Sequence, residues 1–354
     1  MSIHKITFSL LYYVSDELNT NRAENAWSQA EKLLSTVSYN TEHGLVDIHV
    51  DWKPAVNRIS VPPPPPLNKA QFKAFIKSRM KSDKGSAIRG LPISQLYEII
   101  AQPIQAIIRL HQKFEKGHAR IIARHYLELY LYNFFMVVNL AVPGTCNFSN
   151  TTIYDYSIKP FYYPSRMNLS CYPIELAIIL SRQLGWPVIK DIEMGLVHSW
   201  LKSLKLETKQ VAQSRIERVL FALLNALHGN TEITHILWLL HSLEAFYDTP
   251  VIEVVKNLRN RAFKWLSVPE NNKKAIKKEF ANFYGVRSSF VHGAFDIIHP
   301  LKNERIDKNV DIQYDKIYRA SHFGLAMLIA SIQSLIENNY YELNFDEIIQ
   351  GMSI

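Results

Sequence analysis

The chain has 354 residues, is 47% hydrophobic and 20% charged, and carries a net charge of +8. That composition suits a globular protein with sizeable cores and length for two domains, and its mildly basic balance is compatible with a polyanion partner. Two cysteines, Cys146 and Cys171, exclude a disulfide framework or a zinc site and are expected to stay free in a reducing compartment.

The first 195 residues have a mixed texture, and the fold class expected for the whole is α+β, mostly α. Ile6 to Val14 is a β-rich apolar run. Ala23 to Thr36 predicts a short helix with Ala26, Trp27, Ala30 and Leu33 on one side. Leu45 to Trp52 alternates apolar and polar residues, the period of a half-buried strand. Five consecutive prolines, Pro62 to Pro66, predict extended polyproline II, as a rigid spacer in preference to a partner-docking segment. Residues 69–81 and 93–116 have helical character, with an exposed loop from Lys81 to Ser86 between them. His118 to Val142 predicts a long helix whose Tyr126, Tyr130, Phe134 and Val138 repeat every fourth residue, a stripe that core packing explains better than a cofactor pocket. Its apolar part, Tyr126 to Val142, contains Glu128, Asn133 and Asn139 and falls short of the roughly 20 apolar residues of a membrane span. No membrane association is expected. With no basic N-terminal region and apolar core of a signal peptide, a cytoplasmic location is expected. Residues 143–173 are rich in Pro, Asn, Ser and Tyr, and Ile153 to Tyr163 is a candidate strand. Pro173 to Leu184 predicts a helix, and Gly185-Trp186-Pro187 a break.

From residue 196 to 354 the pattern is helical throughout. Arg215 to His228 puts Ile216, Val219, Leu220, Leu223, Leu224 and Leu227 on one face, with Gly229-Asn230 as a stop. Thr231 is a candidate N-cap for a helix reaching Tyr247. Further helices are expected from Val251 to Leu266, from Asn272 towards Phe290, and from Tyr314 to Asn338. Their apolar stripes are wide enough for a bundle core.

Arg287 and His292 carry the chemistry. A guanidinium holds a phosphate through a planar fork of donors and keeps its charge; an imidazole moves protons near neutral pH. RNA supplies its own nucleophile, the 2′-hydroxyl. His292 can serve as base or acid, Arg287 can stabilise the charge of the transition state, and Ser288 can orient the histidine or bond a phosphate oxygen. No metal or cofactor is needed. On a regular helix, five positions are about 500° of rotation, so the two groups point about 140° apart. Either the helix deforms between Gly285 and Gly293, or residues of two chains meet. The reading without chemistry is that Arg287 bridges helices and His292 ends one. Residues 251–290 carry nine Lys or Arg against three Glu, although Lys273, Lys274, Lys277 and Lys278 fit a solvated helix face equally well.

Residues about 196–340 resemble the HEPN family, most closely its ApeA-like branch. The family motif, Arg, a polar residue, several further residues and His, stands here as Arg287-Ser288-Ser289-Phe290-Val291-His292, with Phe283-Tyr284 before it and Gly293 after it. Leu243-Glu244-Ala245-Phe246 is similar to the branch's second-helix signature, and Leu258-Arg259-Asn260-Arg261-Ala262 to its third-helix segment. The resemblance implies a metal-independent endoribonuclease that leaves a 2′,3′-cyclic phosphate, works as a homodimer with one cleft built from two motifs, and acts as a toxin or in antiviral defence. The N-terminal region would then sense an unidentified trigger or restrain the nuclease. The alternative from another class is a non-catalytic module binding RNA, a nucleotide or a partner protein.

Four further residues are candidates for substrate binding: Tyr284 by stacking or simple packing, Glu244 by pairing with Arg287 or a neighbouring helix, and Arg259 and Arg261 along an RNA path or in solvent. His241 reads as an ordinary helix histidine, and His198, His228, His235 and His322 lack metal-ligand spacing. The absence of a Gly-rich phosphate loop and of paired carboxylates argues against a nucleotide transferase.

Overall fold

The computed structural model describes residues 1–10, 20–42, 44–59, 103–154, 165–229, 233–303 and 305–345. The polyproline segment, the helix expected over 69–81, the loop after it, residues 93–102, Thr231 and the ends of the runs expected over 6–14 and 153–163 lie outside these. The protein is α+β and mostly α. It divides into two compact units, Met1–Tyr172 and Pro173–Ile354, so the contact boundary lies nearer the N-terminus than the change of sequence texture at residue 195.

Unit 1 is a six-stranded antiparallel sheet with helices packed on it. Its elements are β1 (Ser2–Ser9), α1 (Thr20–Leu34), β2 (Thr36–Thr41), β3 (Gly44–Val50), α2 (Lys53–Ile59), β4 (Pro103–Leu110), α3 (Lys116–Ala141), β5 (Phe148–Tyr154) and β6 (Ser165–Leu169), with strand order β2-β3-β4-β1-β5-β6. Alternation decides the faces: Val46, Ile48 and Val50 of β3 are buried, as are Ile104, Ala106, Ile108 and Leu110 of β4. The helix expected over 93–116 is therefore corrected in its described part, because residues 103–110 form a central strand. Ile104, Ile107 and Ile108 satisfy a helical spacing, but the same run also alternates with period two and fills the place between β3 and β1. β2, a polar edge strand with only Tyr39 buried, begins where the helix was expected to end at Thr36.

The Tyr126–Val138 stripe of α3 packs in the core of unit 1. The Trp52 ring lies 4.3 Å from that of Phe134. Its indole N–H donates to the Tyr130 hydroxyl at 2.7 Å, which donates to the Leu34 carbonyl at 2.8 Å. Cys146 and Cys171 are buried, and neither forms a disulfide.

Unit 2 is a helix bundle: α4 (Tyr172–Leu184), α5 (Met194–Ser203), α6 (Arg215–Leu227), α7 (Ile233–Phe246), α8 (Val254–Trp265), α9 (Lys273–Val291) and α10 (Asn309–Glu337). The break at Gly185-Trp186-Pro187 is present, and Trp186 donates to the Leu266 carbonyl. α6 starts on a capping box in which Ser214 accepts from Glu217 N–H while the Glu217 carboxylate accepts from Ser214 N–H. A hydrogen bond from Lys209, aided by Gln213 N–H, lowers the Glu217 carboxyl to about 2 despite its desolvation. α7 packs on α6, with Ser242 donating to the Val219 carbonyl at 2.9 Å. α10 is the central helix. It is long and apolar enough to cross a membrane, but 83% of its apolar window is buried inside the protein, as in a core helix. Gly324 of α10 lies flat against the Phe283 ring of α9. Arg319 of α10 grips Glu279 of α9 through two hydrogen bonds of 2.8 Å.

Candidate functional site

α9 is an unbroken α-helix to Val291, because its apolar row Ile276, Phe280 and Phe283 is buried against the bundle. It stops at His292. Gly293 adopts φ +71°, its N–H bonds to the Phe290 carbonyl, and the Ala294 N–H reaches back to the Ser289 carbonyl. That pair of bonds is a left-handed helix stop in which glycine avoids a Cβ clash. His292 is thus the C-cap. Its backbone N–H bonds to the Ser288 carbonyl at 3.0 Å, and its side chain is exposed at the C-terminal end of the helix.

The deformation that would have turned Arg287 and His292 towards each other does not occur before the cap. Arg287 is four positions past Phe283, about 40° away from it around the helix, so it leans towards the core and is half-buried. His292 is nine positions past, about 180° away, and faces out. The two side chains of one chain diverge.

Arg287 is brought together with two of the other expected residues. Its guanidinium carbon lies 5.5 Å from the centre of the Tyr284 ring, one turn earlier on α9, in cation–π range. Across the α7–α9 contact it lies in electrostatic range of Glu244. Burial raises the proton affinity of the half-buried Glu244 carboxyl, and the charges of Arg287 and of His241 oppose that rise. Ser288 is half-buried next to Arg287.

Arg259 and Arg261 lie on α8. Arg259 is half-buried. Arg261 is committed to structure: it donates to the Tyr247 carbonyl at 2.8 Å and to the Asp248 carbonyl, and stacks 4.5 Å from the Phe345 ring. It ties α8 to the end of α7. The basic run at the start of α9 is a solvated face: Lys273 pairs with Glu270, and Lys274, Lys277 and Lys278 are exposed. At 1.5 Å per residue, Lys274 is about 20 Å along the helix from Arg287.

His241, read from the sequence as an ordinary helix histidine, is exposed three residues before Glu244 on α7 and lies in electrostatic range of it. Among the described residues no three His, Cys, Asp or Glu side chains gather as ligands for a metal ion. The arrangement offers a fixed positive charge, a counter-carboxylate and two solvent-accessible imidazoles, the equipment for phosphate binding and proton transfer. No family model, curated protein or solved structure matches this chain.

Proposed function

We propose that the protein is a metal-independent endoribonuclease of HEPN type, acting as a cytoplasmic toxin or antiviral-defence effector whose N-terminal unit responds to an unidentified trigger. The observation that carries this reading is the placement of Arg287 and His292, one held on the bundle flank beside Glu244 and the other standing free at the helix end, both open to solvent. Arg287 binds the scissile phosphate and stabilises its developing charge. His292 transfers a proton between the 2′-hydroxyl or 5′-oxygen and solvent. The products are a 2′,3′-cyclic phosphate and a 5′-hydroxyl, and DNA is not cut. The divergence of the two side chains within one chain favours a homodimer in which the motifs of two copies meet.

The test is incubation of the purified protein with RNA in EDTA. Cleavage is expected, and Arg287→Ala and His292→Ala are each expected to reduce it by about a thousandfold or more with the helical circular dichroism unchanged. Wild-type rates in both variants would remove the pair from the mechanism.

A second reading, a non-catalytic RNA-binding module, is favoured by one observation. Among the described residues no hydrogen bond or ion pair orients the His292 side chain, whereas a proton-transfer histidine is ordinarily aimed by a neighbour. RNA retarded on a gel yet left uncut would establish that reading.

A further inference from the structure

Asp47 of β3 and Arg109 of β4 are register partners in the sheet of unit 1. Each alternates with buried neighbours, so both side chains stand on the open face of the sheet. Opposite charges placed in this way ordinarily pair. Asp47 is instead bonded elsewhere. Its Oδ1 accepts from the Ser38 hydroxyl of β2 at 2.6 Å, and its Oδ2 accepts from His111 Nε2 at 2.7 Å. His111 directly follows β4, and its backbone N–H bonds to the Leu45 carbonyl, which keeps it in the ladder on the side of Arg109. The hydrogen bonds from Ser38 and from His111 hold the Asp47 carboxyl below the usual carboxylate range. Among the described residues Arg109 makes no ion pair or side-chain hydrogen bond, and neither does Lys5 of β1. Lys5 is the register partner of Ile107 and so lies diagonally from Arg109, at the roughly 7–8 Å that long side chains span. Both cations are exposed.

We propose that Arg109 and Lys5 bind a phosphate group on this face, and that Ser38 and His111 are positioning residues that keep the Asp47 carboxylate off the guanidinium. This goes beyond the ribonuclease reading, since it concerns the other unit, and either can fail without the other. A guanidinium meets two phosphate oxygens with its planar fork, and an ammonium adds a point charge from the side. Two cations on adjacent strands suit a doubly charged group better than a carboxylate. A carboxylate locked onto Arg109 would compete for the fork, and the bonds from Ser38 and His111 draw Asp47 towards β2 and the end of β4. Ile3, the β1 partner of Arg109, is 55% exposed, an apolar step for the organic part of a phosphate ester. The phosphate belongs to a free nucleotide or to a strand of RNA.

The experiment is isothermal titration calorimetry on the full chain carrying Arg287→Ala, which removes the phosphate site proposed for unit 2. The probes are adenosine monophosphate, adenosine, and a 2′-O-methyl RNA oligonucleotide that cannot be cut through its 2′-oxygen. A phosphate-bearing probe is expected to bind and adenosine is not. Tighter binding of the mononucleotide assigns the site to a free nucleotide, and tighter binding of the oligonucleotide assigns it to RNA; either supports the proposal. Arg109→Ala is expected to weaken binding by about tenfold or more, the scale of a lost hydrogen bond to a charged group. Arg109→Lys, which keeps the charge but not the fork, is expected to weaken it as well. Ser38→Ala combined with His111→Ala releases Asp47 and is expected to weaken binding about twofold to fivefold, the scale of one exposed ion pair. Adding Asp47→Asn is expected to recover that loss, which a merely structural role would not allow. Circular dichroism confirms that each variant is folded. Failure of both phosphate-bearing probes to bind, equal binding of adenosine, or wild-type affinity in Arg109→Ala would overturn the phosphate site. A loss that Asp47→Asn does not relieve would overturn the positioning role of Ser38 and His111.

Discussion

In unit 1 buried polar side chains tie helices and loops together, although the Thr151 hydroxyl is buried without a hydrogen bond. The Trp52 indole, the Tyr130 hydroxyl and the Leu34 carbonyl form a relay, and the Asn139 amide donates to the Phe135 and Cys146 carbonyls and accepts from Gly144 N–H. Unit 2 has such a link in Tyr247 and Ser331, 2.6 Å apart, but it also buries His322 with Nε2 unpartnered and leaves Arg287, Glu244, His241 and His292 at or near its surface. Those polar groups of the first unit hold a shape. On the α7–α9 flank of the second, the Arg287 guanidinium lies over the Tyr284 ring and in electrostatic range of Glu244, and all three side chains are half-buried.

The contrast can be broken most severely in the aromatic core. Trp52→Ala should destabilise unit 1 by about 3–5 kcal/mol, through lost burial, a cavity and the loss of the hydrogen bond that the Tyr130 hydroxyl accepts. Urea unfolding followed by near-ultraviolet circular dichroism measures this, and a change below 1 kcal/mol would show the relay to be dispensable.

The buried histidine of unit 2 gives the next effect. Burial, and then the neighbouring His235, push His322 down to about 4 from an ordinary value near 6.5. Between those values the folded protein holds fewer protons than the unfolded chain, so stability rises with pH. The stabilisation is complete above about pH 6.5 and falls as pH drops towards 4, by about 3 kcal/mol at 1.36 kcal/mol per unit. His322→Phe should flatten the stability profile of unit 2 in that window, and an unaltered profile would move the acid sensitivity to other groups.

The smallest effect concerns packing. A Cβ on Gly324 would sit 2.5 Å from Phe283 Cε2, so Gly324→Ala should cost about 1–3 kcal/mol as ring and helix separate. Thermal melting reads it, and a raised Tm would mean that the lower chain entropy of alanine outweighs the clash.

Much of unit 2 was legible because amphipathic helices announce themselves. Ile216, Val219, Leu220, Leu223 and Leu227 of α6 recur at helical spacing and are buried as that spacing requires. β4 was not, since a short run such as Ile104-Gln105-Ala106-Ile107-Ile108 fits both periods until its neighbours are known. β2 lacked the hydrophobic signal altogether. At the site, the sequence displayed Arg287, His292 and Glu244 but not their directions. The angle between Arg287 and His292 depends on α9 staying regular to Val291. The role of Arg261 depends on carbonyls of Tyr247 and Asp248, which no side-chain pattern reveals. The approach of Glu244 to Arg287 needs the α7–α9 contact, a tertiary fact.

The glycine after the motif has a consequence for how such a site can change. Because Gly293 ends α9 at φ +71°, it sets where the helix stops and so which side chain is the last on it. Prolonging the helix by inserting one residue ahead of the cap would swing the imidazole by about 100° and advance it about 1.5 Å. An ordinary L residue at 293 would resist the left-handed turn by roughly 1–2 kcal/mol. Insertions and deletions between Arg287 and Gly293 therefore act as a coarse dial on the aim of the histidine, turning it in steps of a single residue while the bundle beneath stays as it is.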